Sequence, residues 1–532
     1  MGSMMKTILN GFVAFMAVCF ICGSLQAAQP LDIIETDIRS IHAAYKAGTL
    51  SAEELTRAYL ERIQTYDNNG PKLNSFITLN PEALDVARAL DKERKSKGMR
   101  GPLHGIPIVI KDNYDTKDLP TTGGSAVLRE HQPGQDAFTV KKLREAGAII
   151  LGKTNMSELA LSYDRLSYSS QGGLTLNPYN LKRNASGSSS GTGAAVGANL
   201  AVLGTGTDTA GSIRGPAAVT GNVGIKPTLG LTSRSGVIPA SLSFDVTGPV
   251  ARSVDDAAVA LTVMAGVDPD DARTESSVKF QGRDYRNYLD VNALKGKRIG
   301  VVTTYAGGNA EVDAAFNRAL VQIQNQGAET VEVTVPASIE EAWGTMMGPV
   351  VDNEFDDQIE YYFKTGKAPI QTVEELIALS LAPDILNSEN PVNPERVDGY
   401  RAAANSLGLA DQVYIEIVTN RIPSARHFII DLMTDKKLDA LVFPTMLCPA
   451  SPLFNLEDDT YVCSASDPYI PSYLASSTGF PEITVPMGFT THGLPLGISF
   501  FATAYHEPRL IGLAYAFEQA TTWRRPPAST TE

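Results

Sequence analysis

Apolar positions in the first hundred residues recur at helical spacing. After Thr36-Asp37, the residues Ile38, Ile41 and Tyr45 share one face and Gly48 closes the pattern, which predicts a helix there. Ser51-Ala52-Glu53-Glu54 has the form of a capping box ahead of Leu55, Tyr59 and Ile63, and a third helix is predicted from Pro81 to Lys97. The period then changes. Ile106–Ile110 and Ala148–Leu151 are short continuous apolar runs, the pattern of strands buried on both faces, with a helical stretch from Ala137 to Gly147 between them. Val254–Ala265 reads as helix and Lys297–Val302 as strand. Val312, Phe316, Leu320 and Ile323 mark the helix that follows. Residues 335–435 read as mostly helical, Leu438–Phe443 and Ile483–Val485 as strand, and Arg509–Ala520 as a closing helix. Strand and helix in alternation, with no fixed repeat and no long linker, predict one large α/β unit.

Composition narrows the function classes. The chain has 532 residues, 43% hydrophobic and 20% charged, which is globular composition. Its net charge of −14 argues against a grip on nucleic acid phosphates. The six histidines fall in no HExxH pattern and no paired CxxC occurs, so neither a metal nor another cofactor is expected.

The N-terminus changes the picture of compartment. Met1-Gly2-Ser3 ahead of Met4-Met5 has the look of a cloning scar. Lys6, the apolar run Ile8–Cys22 and the small residues Gly23–Ala28 then follow in the order of a secretory signal. The run is short for a membrane span, with a retained anchor as the alternative. Neither Cys19 nor Cys22 follows a small residue, so no lipoprotein cleavage site is read. Cleavage near Ala27 or Ala28 gives an exported, periplasmic or secreted protein with no stable membrane span. Residues 1–28 are then scar plus signal, and 29–532 the working domain. Cys448 and Cys463 remain as the only thiols, either paired or separately buried.

Three motifs mislead. Gly147–Thr154 fits the phosphate-loop pattern letter for letter, but its intervening Ala-Ile-Ile-Leu is itself a strand, whose N–H groups are spent on neighbouring strands. Gly187-Ser188-Ser189-Ser190-Gly191 fits the nucleophile elbow of α/β-hydrolases, but polar, strand-poor Leu181–Ser186 precedes it. Ser186–Gly193 also has the composition of a flexible linker, yet an apolar helix candidate, Ala194–Leu203, follows at once, and then a second small-residue loop.

That second loop, Gly204-Thr-Gly-Thr-Asp208-Thr-Ala-Gly-Ser212-Ile-Arg214, has the chemistry of an acyl-transfer site. A serine among Gly, Ala and Thr leaves backbone N–H groups accessible beside its hydroxyl, as an oxyanion hole requires. It also needs a base. Lys111 ends the buried run Ile106–Ile110, where desolvation favours the neutral amine. A lysine snorkelling from a strand edge is the plain alternative.

These residues resemble the amidase signature hydrolases, which use a Ser-Ser-Lys triad. The resemblance is carried by Gly105–Asn113, Gly152-Lys-Thr-Asn155, Gly187-Ser-Ser189, Gly206–Arg214, Gly224-Ile-Lys-Pro227, Asp439–Thr445 and Gly493–Gly497, and so covers most of the chain. It implies a mixed, mostly buried β-sheet covered by helices. The catalytic core would span about 100–265, a variable helical region about 305–435 and a C-terminal return to the core about 436–525. It implies Ser212 as nucleophile, Ser188 as bridging serine after a cis Gly187–Ser188 peptide, and Lys111 as base. It makes the N–H groups of Thr209, Ala210, Gly211 and Ser212 the oxyanion donors, with Asp208, Arg214 and Ser189 supporting them.

The departures from the family pattern are Ser186 for the first of two glycines, Ser190 for a glycine, and Ala210 before Gly211. All are small, and the triple serine is similar to bacterial peptide amidases. The function expected is an exported amidohydrolase acting on small amides, peptide C-terminal amides or aryl acylamides. An esterase or urethane-type hydrolase with the same triad is the alternative within the class, and a non-catalytic binding protein the alternative outside it. The signal argues against the glutamyl-tRNA amidotransferase subunit, whose partners are cytoplasmic. Substrate pockets are expected from Tyr163–Thr175 and the helical region after Thr304. Tyr361, Tyr362, Phe363, Tyr461 and Tyr469 are left as either pocket or packing residues.

Overall fold

One eleven-stranded sheet runs through the protein. A computed structural model describes residues 32–531; the signal-like segment with Cys19 and Cys22 lies outside the described residues. In chain order the strands are β1 (Phe76–Leu79), β2 (Pro107–Lys111), β3 (Ile149–Thr154), β4 (Leu203–Asp208), β5 (Val223–Lys226), β6 (Val246–Ala251), β7 (Arg298–Val302), β8 (Glu329–Val333), β9 (Ala440–Pro444), β10 (Glu482–Phe489) and β11 (Pro495–Phe501). They lie in the order β1-β3-β2-β4-β6-β5-β10-β11-β9-β7-β8. Pairing is parallel along β3-β2-β4 and along β9-β7-β8, and antiparallel elsewhere, so the sheet is mixed.

Burial follows the apolar runs. β2, β3, β4, β5, β6, β9 and β11 are buried at every position, whereas the edge strands β1 and β8 are partly open. The helices α1 (Ile38–Ala47), α2 (Ala52–Arg62) and α3 (Ala83–Lys97) form where the spacing predicts them. Asp37 caps α1 by accepting from Ser40 N, Gly48 ends it in the left-handed conformation, and Ser51 with Glu54 closes both halves of the capping box on α2. Among the described residues no helix is long and apolar enough to cross a membrane.

β4 corrects the sequence reading. Gly204–Asp208 has a loop's composition, yet it is a central strand, pairing with β6 from Leu203 to Asp208 and with β2 at Leu203 and Gly204. The reason is close approach of the flanking layers. A Cβ on Gly204 would stand 2.6 Å from Val109 Cγ2 and 2.7 Å from Thr192 Cγ2, and one on Gly206 2.8 Å from Ile213 Cγ1. Glycine is selected by packing here, not by a turn. The covering helix α4 (Ser190–Gly197) is buried at all eight positions, which removes the linker reading of Ser186–Gly193.

Helices between Ala337 and Asp435 build a second core, in which Phe355, Ile359, Phe363, Leu376 and Tyr400 pack with Leu128, Leu159 and Ile238. Cys448 and Cys463 are joined in a disulfide with Cα atoms 5.6 Å apart, which settles the open pairing. Arg183 ties down the bridged segment, reaching Ala450 O at 3.1 Å, Thr460 Oγ1 at 2.7 Å and Asp458 at 2.9 Å.

Candidate active site

β2 delivers Lys111 as its last residue, fully buried. Its Nζ donates to Ser188 Oγ at 2.8 Å and to Thr207 Oγ1 at 2.7 Å. Asn113 Nδ2 donates to the same Thr207 hydroxyl at 3.1 Å. Among the described residues no carboxylate lies within ion-pair distance of this lysine. Burial therefore dominates, and it pushes the amine down to about 7 against the pull of Asp208 and Asp245. Lys153 is equally buried and burial lowers it too, but it stands 3.3 Å from Asp112, an ion-pair partner that Lys111 lacks among the described residues. Lys153 also donates to Pro120 O and Thr121 Oγ1 from within β3, which leaves no phosphate loop at Gly147–Thr154.

Ser188 sits on a turn with no spare volume. The Gly187–Ser188 peptide is cis, as the resemblance implies. A Cβ on Gly187 would lie 2.4 Å from Ser162 Oγ and 2.6 Å from Ser157 Oγ, so a side chain there would have to displace both hydroxyls. Ser186, where the family pattern has glycine, adopts φ +63°, a region that favours glycine. Its N–H donates to Asn184 Oδ1 at 2.8 Å, its carbonyl accepts from Ser167 Oγ at 2.7 Å, and its hydroxyl bonds Tyr469 OH. These contacts over-determine the conformation. Ser189, the centre of the elbow-like motif, is fully buried and donates to Thr207 O at 3.3 Å. The strand before it, Asn180–Asn184, pairs with Leu176–Asn177 in a two-stranded ribbon and bridges Pro452 at Arg183, all outside the main sheet, so the elbow geometry is absent.

Ser212 lies on the loop that leads from β4 into α5 (Arg214–Val219) and is 8% exposed. Among the described residues its hydroxyl has no hydrogen-bond partner; it opens onto a cavity of about 260 Å³. Ser189 N donates to Ser212 O at 3.2 Å and ties the two serine turns together.

The loop is shaped by a buried carboxylate. Asp208 accepts from Gly211 N at 2.8 Å, Ile213 N at 3.0 Å, and Arg214 Nε and Nη2 at 3.0 and 2.8 Å. Burial alone would raise this carboxyl, but the Arg214 guanidinium outweighs it and holds Asp208 far below the usual carboxylate range. Arg214 also donates to Glu482 Oε2 at 2.7 Å, Ser472 O at 2.8 Å and Ser476 Oγ at 2.7 Å. Through these bonds Asp208 and Arg214 hold the nucleophile loop to the segment carrying Ser472 and Ser476.

One expected oxyanion donor is corrected. Gly211 N–H is already given to Asp208, because the carboxylate curls the loop around itself. Thr209, Ala210 and Ser212 keep N–H groups with no partner among the described residues. Thr209 is pinned separately, its hydroxyl donating to Asp245, which also accepts from Ala240 N and Ser241 N at 2.8 and 3.0 Å.

The cavity wall joins distant segments. Tyr163 and Leu166 come from the stretch expected to form a pocket, Trp343 from the helical region, and Asp467, Tyr469 and Tyr473 from the segment entering α6 (Ile470–Thr478). Ser472 Oγ donates to Ala210 O at 3.0 Å and couples α6 to the nucleophile loop. Of the five aromatics left open, Tyr469 lines this cavity. Tyr362 is buried and donates to Asp115 Oδ1 at 2.6 Å, Phe363 is core, Tyr361 is exposed, and Tyr461 packs beneath Arg183. Asp467, Tyr473 and Trp343 belong to no motif read from the sequence, and Thr207 lies within Gly206–Arg214 without being singled out there.

Known proteins share this architecture. The family model named Amidase matches residues 54–511. A probable amidase of Arabidopsis thaliana is 34% identical over 94% of this chain and 93% of its own length. The A subunit of a glutamyl-tRNA(Gln) amidotransferase of Synechococcus sp. is 35% identical over 92% and 93%. The crystal structure of the native peptide amidase of Stenotrophomonas maltophilia superposes with a TM-score of 0.85 at 39% identity, covering 93% of this chain and 99% of that one. With a mixed α/β sheet, a buried lysine–serine pair and a cavity-facing loop serine in one site, the chain belongs to the amidase signature family and is an amide-hydrolysing enzyme.

Proposed function

We propose that the chain is an exported amidase that cleaves small carboxamides, peptide C-terminal amides or aryl acylamides through a Ser212 acyl-enzyme and a Lys111–Ser188 relay. The observation that carries this reading is the hydrogen bond from fully buried, carboxylate-free Lys111 to Ser188 beside the cavity that holds Ser212.

The neutral amine accepts the Ser188 proton while Ser188 accepts that of Ser212, and Ser212 Oγ adds to the substrate carbonyl carbon. The oxyanion is held by the N–H groups of Thr209, Ala210 and Ser212. One such donor is worth about 10²–10³ in rate in known oxyanion holes. The relay then returns the proton to the departing nitrogen as the C–N bond breaks, which is what makes an amine a feasible leaving group. Water attacks the acyl-enzyme by the same relay, releasing the acid and restoring Ser212.

The peptide amidase likeness favours this substrate class over ammonia delivery to a tRNA-bound partner. The amidotransferase A subunit of Thermotoga maritima is similar at 25% identity with TM-score 0.70, below the 39% and 0.85 of the peptide amidase. Export is supported by the signal-like N-terminus and by the Cys448–Cys463 disulfide, a bond that persists in oxidising compartments. The test is turnover of peptide amides, anilides and matching esters by the wild type, with chymostatin added; a peptide amidase related to this chain binds it as a competitive inhibitor. Amine release inhibited by chymostatin supports the reading. Turnover of esters alone would replace it with an esterase.

A further inference from the structure

The catalytic cavity carries one formal charge. Its wall includes Leu161, Tyr163, Trp343 and Tyr473, and among its lining residues Asp467 is the single carboxylate; no lysine, arginine or histidine lines it. Asp467 Oδ1 accepts from Tyr469 N at 2.8 Å and Oδ2 accepts from Tyr473 OH, so the carboxylate is fixed in direction yet forms no ion pair among the described residues. A carboxylate has about four acceptor sites, so two remain for another donor. Trp343 stacks on Tyr473 with ring centroids 6.2 Å apart and planes 24° apart, so two aromatic rings share the cavity wall with the carboxylate. Arg396 lies behind Tyr163, 5.7 Å from its ring centroid and itself buried, outside the cavity.

A carboxylate without an ion pair, in a cavity whose wall also carries aromatic rings, is complementary by charge to an ammonium group beside an apolar portion. It repels a carboxylate. From this arrangement we infer that Asp467 is a specificity-determining residue and that the enzyme selects amides carrying an ammonium group next to an apolar or aromatic portion, against neutral and acidic analogues. The net charge of −14 adds long-range attraction of the same sign. The inference rests on the amidase reading and narrows its substrate class.

The test uses N-acetyl-lysinamide, N-acetyl-norleucinamide and N-acetyl-glutamic acid amide, together with phenylalaninamide and its deaminated analogue 3-phenylpropionamide. Ammonia release is measured at about pH 6.5, where the α-amine of phenylalaninamide is still mostly an ammonium, in low and high salt. The wild type is expected to favour an ammonium-bearing member over its neutral partner by about tenfold in kcat/KM, the scale of a partly screened ion pair. The preference shrinks as salt rises. Asp467→Asn keeps an acceptor for Tyr469 N and brings the ratio to about one; Asp467→Lys shifts preference towards the glutamic acid amide. A wild-type ratio near one for both pairs, or a tenfold ratio that Asp467→Asn leaves intact, would overturn the assignment. If no member is cleaved and Ser212 is not labelled by a phosphonofluoridate, the amidase reading itself fails, a result distinct from cleavage without charge preference.

Discussion

Lys111 Nζ stands 2.8 Å from Ser188 Oγ and 2.7 Å from Thr207 Oγ1, with no carboxylate in ion-pair contact among the described residues. Burial favours the neutral amine and outweighs the opposing pull of Asp208 and Asp245. Because burial brings its pKa down to about 7, the base is charged below that pH and neutral above it. kcat/KM for an amide is therefore expected to rise tenfold per unit below pH 7 and to level above it. Lys111→Arg stays charged at every accessible pH and loses about 10²–10⁴ in rate. A pH–rate profile flat from pH 5 to 8 would remove Lys111 as the titrating base.

The same shift has a sign for stability. The unfolded lysine keeps a proton up to its ordinary pKa of 10.5, whereas the folded one releases it near 7. Between these values the unfolded state binds more protons, so stability rises with pH. Thermal unfolding of Lys111→Met alongside wild type reads this out. The melting-temperature advantage of Lys111→Met is expected to widen as pH falls from 10 to 7 and to stay constant below.

Arg214 joins Asp208 and Glu482, all three fully buried. Removing the cation leaves Asp208 and Glu482 buried without their guanidinium partner. Arg214→Met is expected to lose about 3–5 kcal/mol in urea unfolding. Arg214→Lys keeps the charge but not the fork that spans Asp208, and so is expected to retain fold while turnover drops.

The disulfide closes a loop with its cysteines 15 residues apart. Replacing both cysteines by serine is expected to lower stability by about 3 kcal/mol, from loop-closure entropy regained by the unfolded chain. Two thiols titrating in native wild type from an oxidising preparation would contradict the bridge.

What the sequence disclosed follows from how each feature is written in it. The capping box at Ser51 and Glu54 and the apolar run before Lys111 are local signals, so they could be placed without tertiary information. β4 could not, because Gly204 and Gly206 are set by contacts with Val109, Thr192 and Ile213 from three other segments. On Gly204 even alanine is expected to cost about 1–3 kcal/mol through overpacking, measurable by denaturant unfolding. The positions of Lys111, Ser188 and Ser212 were legible through motif resemblance. The capture of Gly211 N–H by Asp208 was not, since it depends on a side chain's direction. Asp467 and Tyr473 were invisible for a different reason: they reach the cavity from a segment more than 250 residues beyond Ser212.

The most direct measurement is amine release from a peptide C-terminal amide by wild type and Ser212→Ala, read by mass spectrometry together with phosphonofluoridate labelling. Wild type should release amine and carry the label on Ser212, and Ser212→Ala should do neither. Equal turnover by the two proteins, or a label on Ser189 in place of Ser212, would contradict Ser212 as the nucleophile.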